Sequence, residues 1–330
     1  GVVDLMNDVE AIVSKILTMQ HSEMIDKEPE RIMEFAVEYV GRNPNPILLE
    51  ETDYARGGSH MKQKVLLMGG TGLVGRAIKE SLSQAYDVVI TAGHHEVEGG
   101  YQLQITDTDK LLEILERENP EIVISSLRGD FQAQYNFHVK LADWLSGKNK
   151  RLLFISTANV FDRDMSQPWT EEAQPSPESD YGKYKSDCEA MLTEKLSKQL
   201  IIFRLPSVWA PDCPRIQMLR EYSTSRKPLS TYPNDYVNVT LSSQVGAYAE
   251  YVLTHDLKGI FHVGSTDMVD YYEFQKMVCD LLQIQYPAFA LEDIPEKVYQ
   301  AVIPARTEIP DALQITVMQV LETLGGRVIR

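Results

Sequence analysis

Cysteine is scarce in this chain. Cys188, Cys213 and Cys279 are the only three in 330 residues, odd in number and widely spaced, with no Cys-x-x-Cys pair and no His/Cys cluster. Such spacing supports neither a disulfide framework nor a zinc site, so no metal is expected. Long apolar runs are missing too: none reaches the ~20 residues that span a bilayer. No secretory leader opens the sequence, and a cytoplasmic protein without a membrane partner is expected. Positive charge is in deficit, with 32 Lys+Arg against 48 Asp+Glu and a formal net charge of −16. That field repels phosphate backbones, so nucleic acid is not an expected partner. An anionic small molecule would need a local pocket of opposite sign. What remains, 43% hydrophobic and 24% charged residues, is the composition of a globular fold, here long enough for one large α/β domain with appendages.

Residues 1–57 stand apart from the rest. Val2, Leu5, Met6, Val9, Ile12, Val13, Ile16 and Leu17 fall on one helical face. A second helix opens at Pro29, carries Ile32, Met33, Phe35, Ala36, Tyr39 and Val40, and stops at Gly41. This reads as a helical N-terminal extension, fused or tag-derived, because Gly58-Ser59-His60-Met61 has the form of a tag remnant before a start methionine. From residue 62 onward apolar strands alternate with helices. Strands are expected at Lys64–Met68, Asp87–Thr91, Tyr101–Ile105, Glu121–Ser125, Arg151–Ser156 and Gln199–Arg204. Helices are expected at Ala77–Ala85, Lys110–Glu116, Phe131–Ser146 and Tyr181–Leu196. Such alternation predicts a parallel sheet covered on both faces. After Pro206 it gives way to proline- and tyrosine-rich loops with helices near Ser242–Leu253 and Tyr272–Leu282. That region is expected to form a smaller lobe over the C-terminal edge of the sheet.

Between the first strand and the first helix stands Gly69-Gly70-Thr71-Gly72-Leu73-Val74-Gly75. Gly69, Gly72 and Gly75 leave room for a tight turn, for backbone approach to a pyrophosphate and for close helix–strand packing. Thr71, Leu73, Val74 and Arg76 are therefore further candidates for contact with a dinucleotide. The second strand ends in Thr91-Ala92-Gly93-His94-His95, without the acid that binds the ribose diol of NAD. NADP(H) is favoured on that ground, with Arg76 and His94 as phosphate candidates, and NAD(H) is kept open. Gln104 and Ile105 are candidates for the adenine edge; Ser125, Ser126 and Leu127 are placed to run beside the nicotinamide ribose. By this reading 62–206 is mainly dinucleotide-binding and 207–330 mainly a substrate lobe.

Tyr181 and Lys185, in Tyr181-Gly182-Lys183-Tyr184-Lys185, are four apart on a helix and share a face. A free tyrosine is mostly protonated at neutral pH and exchanges its proton slowly. An ammonium beside it is expected to lower its pKa and ready it for proton transfer. Thr157, at the end of the fifth strand, can donate a second hydrogen bond to a carbonyl oxygen gaining negative charge. Asn136, in Tyr135-Asn136-Phe137, is a candidate to hold a water or a carbonyl near Lys185.

These runs, together with Ile155–Asp162, Phe203-Arg204-Leu205-Pro206, Gly259–Gly264, Tyr271–Phe274, Ala305-Arg306 and Leu321–Gly325, resemble the extended short-chain dehydrogenases/reductases. The resemblance is strongest to the dTDP-4-dehydrorhamnose reductase family and covers Met61 to about Gly325. It implies an α/β fold: a Rossmann-type doubly wound parallel sheet with a small C-terminal substrate-binding lobe. It also implies hydride transfer from NAD(P)H to the C4 keto group of a nucleotide-linked deoxysugar. Thr157, Tyr181 and Lys185 would be the catalytic triad, and Leu205 a cofactor contact. Four departures bear on the sugar pocket rather than on hydride chemistry. Ala158-Asn159 replaces the usual Asp-Tyr, and Ser125-Ser126-Leu127-Arg128 replaces an alanine-rich turn. Asn238-Val239-Thr240 lacks a proline, and Gln244 stands for an aspartate. Substrate-binding candidates are Asn159 and, for an anionic diphosphate, Arg128, Arg220 and Arg306, with Arg204 and Arg215 as further cations.

Two other functions fit the same motifs. One is a non-catalytic NADP-binding regulatory subunit resembling the methionine adenosyltransferase beta subunit. The other is a sugar-nucleotide epimerase or dehydratase, disfavoured because Ala158 and Asn159 supply no acid beside Thr157. A homodimer is left open.

Overall fold

The computed structural model describes residues 62–326. The readings on residues 1–57 and on Gly58–Met61 lie outside the described residues. The first half builds strand by strand as β1 (Lys64–Met68), α1 (Leu73–Leu82), β2 (Asp87–Ala92) and β3 (Tyr101–Gln102). There follow α2 (Thr108–Glu118), β4 (Ile122–Ser125), α3 (Phe131–Leu145), β5 (Arg151–Thr157), α4 (Asp180–Leu196) and β6 (Leu200–Leu205). The period of two explains why these strands are central. Val65 and Leu67 enter one apolar layer and Leu66 and Met68 the opposite one; Leu153 and Ile155 oppose Leu152 and Phe154 in the same way. α1 begins at Leu73 rather than at Ala77, because Gly72 is already the extended N-cap. β3 is shorter than expected: the chain turns at Gln104, and Asp107 then caps α2 by accepting from the Lys110 amide.

The second half contributes β7 (Ser207–Trp209), α5 (Pro214–Ser225), β8 (Pro228–Thr231), β9 (Asp235–Val237), β10 (Val239–Leu241) and α6 (Ser242–Thr254). It continues with β11 (Gly259–His262), β12 (Val269–Asp270), α7 (Tyr271–Leu282), β13 (Ala288–Leu291), β14 (Val298–Gln300) and α8 (Val317–Leu324). The main sheet has seven parallel strands in the order β11-β6-β5-β4-β1-β2-β3. This is the expected α/β doubly wound arrangement. Although α6 and β11 come after Pro206, they belong to this layer. β11 pairs with β6, and α6 buries Val245, Tyr248, Ala249 and Val252 in the same core as Ile78 and Leu82 of α1. The small lobe has its own core, in which Trp209, Leu219, Phe274 and Val320 are buried, and carries three short sheets.

A buried ion pair ties α4 to β6. Arg204 Nη2 lies 2.7 Å from Glu189 Oε1, and the two residues are 1% and 5% exposed at their side chains. Ser156 Oγ donates to the other carboxylate oxygen at 2.6 Å. Arg204 also contacts His262 Nε2 at 3.3 Å, while His262 Nδ1 faces the carbonyls of Trp169 and Ile303 at 3.2 Å each. Burial, reinforced by Arg204, pushes the imidazole down to about 3 and keeps it neutral. Because both charges are out of water, removing one strands the other. Arg204→Met should therefore lower the urea-unfolding free energy by about 3–5 kcal/mol, whereas Arg204→Met with Glu189→Leu should recover most of it. An equal loss in the double variant would contradict this account of the pair.

Candidate active site

The order of the main sheet reverses between β1 and β4, which is where open α/β sheets bind ligands. A cavity of about 910 Å³ opens on this C-terminal edge, within the size range of small-molecule sites. One part is formed by Leu73, Val74, Ser126, Leu127, Thr157, Tyr181, Lys185 and Leu205. The other is formed by lobe residues, among them Arg215, Tyr232, Asp235, Tyr271 and Gln300. The sequence candidates at these positions thus converge on one space from six separate segments.

The glycine loop fits a dinucleotide on evidence internal to the structure. Gly69 has φ +77°, and a Cβ there would lie 2.1 Å from the Ser126 carbonyl, so the turns after β1 and β4 meet only without a side chain. A Cβ at Gly75 would strike the Gly69 carbonyl at the same distance. Gly72 differs: its Cβ would meet nothing closer than Gly69 O at 3.6 Å. Packing within the protein does not require that glycine, and its missing side chain leaves the backbone there open to close approach by a ligand. Gly72 also provides no side-chain cap, and the first turn of α1 holds no acid, leaving first-turn amides for an anion.

Tyr181 is positioned by two local contacts. The Asp162 carboxylate accepts from the amides of Glu178 at 2.5 Å and Ser179 at 3.2 Å and from the Ser179 hydroxyl, while Ser179 caps α4 at Gly182. Burial works against the ionised Asp162, yet these bonds and one from Asn159 hold its carboxyl below the ordinary range. Gly182 then lets α4 rest on the turn after β5, since a Cβ would lie 2.3 Å from the Asn159 carbonyl. The Thr157 hydroxyl donates to Asn159 Oδ1 at 3.0 Å and accepts from the Asn159 amide.

Desolvation raises the Tyr181 phenol above the ordinary tyrosine range, and the charge of Arg128 acts the other way. Lys185 is turned toward β5. Its Nζ is buried, donates to the Ile155 carbonyl at 2.8 Å and sits 4.7 Å from the Phe154 ring centre. Burial pulls that amine down to about 8.

Other expected residues lie elsewhere. Arg204 is consumed by Glu189, and Arg306 is paired with Glu308 at 2.8 Å and bound to the Lys258 and Ile260 carbonyls, so neither is available to a diphosphate. Arg220 is exposed on α5 and outside the cavity lining. Thr71, Arg76, His94 and Gln104 are exposed, and Ile105 is half-buried beside Gly129. Ser125 is buried behind the cavity and bonded to His138 Nε2 at 2.7 Å. Asn136 is exposed and accepts from Gln132; the buried face of α3 there carries Gln134 and His138 instead. Asn238 does border the cavity, but its side chain is committed to the Ser265 and Val302 carbonyls and to the Val302 amide.

Asp235 escaped the sequence reading. It lines the cavity, is 6% exposed, takes one bond from Gln300 at 3.0 Å, and leaves Oδ1 without a protein partner among the described residues. Burial, then the neighbouring Asp270, pushes its carboxyl up to about 6. No motif marks it; only the fold brings Asp270 and Gln300 beside it.

A seven-stranded parallel sheet in this order, with a glycine loop at its first turn and Tyr181 and Thr157 at its edge, defines the class: the NAD(P)-dependent oxidoreductases of the extended short-chain type. Within it, the family model described as RmlD substrate binding domain matches residues 63–319, and the chain belongs to that family. A dTDP-4-keto-6-deoxy-D-glucose reductase of Streptomyces niveus is 22% identical over 237 residues, 67% of this chain and 80% of the relative. The methionine adenosyltransferase 2 subunit beta of Rattus norvegicus is 26% identical over 160 residues, 44% of this chain and just under half, 47%, of the relative. Among solved structures, a dTDP-4-dehydrorhamnose reductase from Bacillus anthracis in complex with NADP shares the fold. Its TM-score is 0.68 at 18% identity, over 80% of this chain and 99% of that one.

Ionised Asp235 is the form the fold disfavours: its stabilising contribution is complete below the ordinary carboxylate pKa and is lost as pH rises through about 6. Asp235→Asn should therefore gain about 1–3 kcal/mol of unfolding free energy near pH 7.5 and nothing near pH 4. A loss at both pH values would show that the charged carboxylate is the supported form.

Proposed function

We propose that the chain reduces a carbonyl with NAD(P)H, and that the carbonyl is the 4-keto group of a nucleotide-linked deoxysugar. The observation that carries this reading is the grouping of the Tyr181 and Thr157 hydroxyls in one cavity with the start of α1. Family membership and the likeness to the reductase of Streptomyces niveus support the substrate class. Gly69, Thr71, Gly72, Leu73 and Val74 would hold the pyrophosphate; Ser126, Leu127 and Leu205 would flank the nicotinamide end. The cofactor, when bound, supplies the hydride. Tyr181 donates the proton to the carbonyl oxygen, and Thr157 steadies the charge that grows there. Lys185, held at the Ile155 carbonyl, keeps the floor of the site and can reach ribose hydroxyls from α4. NADP(H) is preferred because Thr91-Ala92-Gly93-His94-His95, where β2 ends, places no carboxylate where it would repel a 2′-phosphate.

A second reading, an NADP-binding regulatory subunit, is favoured by one observation: the likeness to the methionine adenosyltransferase 2 subunit beta. Activity separates the two. Purified protein should bind NADPH more tightly than NADH and oxidise NADPH with a nucleotide-linked 4-keto-6-deoxysugar. Tyr181→Phe should lower kcat by about 10²–10⁴-fold with cofactor affinity nearly unchanged. Unchanged turnover in that variant eliminates Tyr181 as proton donor. NADPH binding without turnover on a panel of nucleotide-linked keto sugars would transfer the argument to the regulatory reading.

A further inference from the structure

The turn after β4 and the first turn of α4 reach the cavity from different elements, yet one buried side chain joins them. Ser126, Leu127 and Arg128 of that turn line the cavity, as do Tyr181 and Lys185 of α4. Behind them stands Gln134 of α3, 2% exposed. Its Nε2 donates to the Gly129 carbonyl at 3.0 Å, and its Oε1 accepts from the Tyr184 hydroxyl at 2.5 Å. Gly129 has φ +135°, and a Cβ there would lie 2.7 Å from Ile105 Cδ1. The bend that brings its carbonyl to Gln134 is therefore strained for any other residue.

These contacts meet on Tyr184. It stands three positions after Tyr181 on the same helical face, and the two ring centres are 6.4 Å apart. Phe131, the first residue of α3, stacks on Tyr184 at 5.0 Å with the ring planes 4° apart, and meets the Tyr181 ring at 5.9 Å. Tyr184 is 6% exposed, and burial pushes its phenol far above the ordinary tyrosine range, so the hydroxyl stays a donor at working pH. Filling space does not call for this residue pair, since phenylalanine and leucine would occupy nearly the same volume. What tyrosine and glutamine add is a hydrogen bond between groups 50 residues apart in the chain.

We propose that Tyr184 is a positioning residue: through Gln134 it sets the turn that flanks the nicotinamide end of the cavity against the helix that presents Tyr181. The inference rests on the reductase reading for its effect on turnover, and on geometry alone for its effect on the turn. Hydride and proton must arrive at the two ends of one carbonyl bond, and a misplacement of about 1 Å costs about 10²-fold in rate. Tyr184 touches neither reactant; it acts by holding the two sides of the site in register.

Tyr184→Phe tests this by keeping the ring and removing the hydroxyl. In the cofactor-free protein, tryptic cleavage after the exposed Arg128, located by mass spectrometry, should quicken about tenfold relative to cleavage at other Lys and Arg sites. With NADPH and a nucleotide-linked keto sugar, kcat should fall about 10–10²-fold while KM for the sugar stays within about twofold. Tyr184→Phe combined with Gln134→Leu replaces both buried partners by apolar groups and leaves the Gly129 carbonyl, on an exposed residue, to water. This double variant should regain unfolding free energy but keep the fast cleavage and the low kcat. Recovery of kcat together with stability would make the pair a matter of stability alone and overturn the proposal. Unchanged cleavage after Arg128 in Tyr184→Phe would overturn it as well. Faster cleavage there, when the unaltered protein binds NADPH but reduces no keto sugar, upholds the placing of the turn and removes the reductase reading.

Discussion

The site depends on how the first turn of α4 meets the turn after β5. Asp162 gathers the Glu178 and Ser179 amides and the Ser179 hydroxyl, and Gly182 removes the one side chain that would hold the helix off the Asn159 carbonyl. These contacts are local in chain terms yet join a strand of the sheet to the helix bearing Tyr181. The buried Glu189–Arg204 pair, two turns further along the same helix, fixes its middle to β6 and through His262 to β11. Two anchors on one helix leave it little freedom to rock.

Charge is distributed to suit an anionic ligand on an acidic protein. The net charge of −16 is countered locally by the open amides of α1 and by Arg128 and Arg215 in the cavity. Asp235 brings the opposite sign to the lobe's share of that cavity, at a cost in stability that its raised pKa records. Groups held in a disfavoured protonation state collect at ligand sites, because the site is selected for recognition and not for the stability of the empty fold.

Much of this architecture was legible from periodicity. Runs such as Lys64–Met68 and Arg151–Thr157 are apolar on both faces, which only a sheet covered twice explains, and the glycine loop named its own place between strand and helix. The family was readable from the same runs and is matched over residues 63–319. β11 was not identified as a seventh strand, because a four-residue segment following a helix carries no period of its own. Side-chain partnerships were the least legible. Whether Arg204 or Arg306 is free depends on Glu189, which meets Arg204 across the α4–β6 packing, and on Glu308 with carbonyls 46 and 48 residues away. The rule that residues four apart share a helix face brought Lys185 near Tyr181 but could not say that its amine would turn to the Ile155 carbonyl.

The central claim is that the phenol of Tyr181, the hydroxyl of Thr157 and the nicotinamide ring share one end of the cavity. A crystal structure of the protein with NADP and an unreactive nucleotide-sugar analogue measures this directly. The account predicts the ring against Leu127 and Leu205, with both hydroxyls hydrogen-bonded to the analogue's C4 oxygen. A nicotinamide seated away from Tyr181, or a phenol turned out of the cavity in the loaded protein, would contradict it.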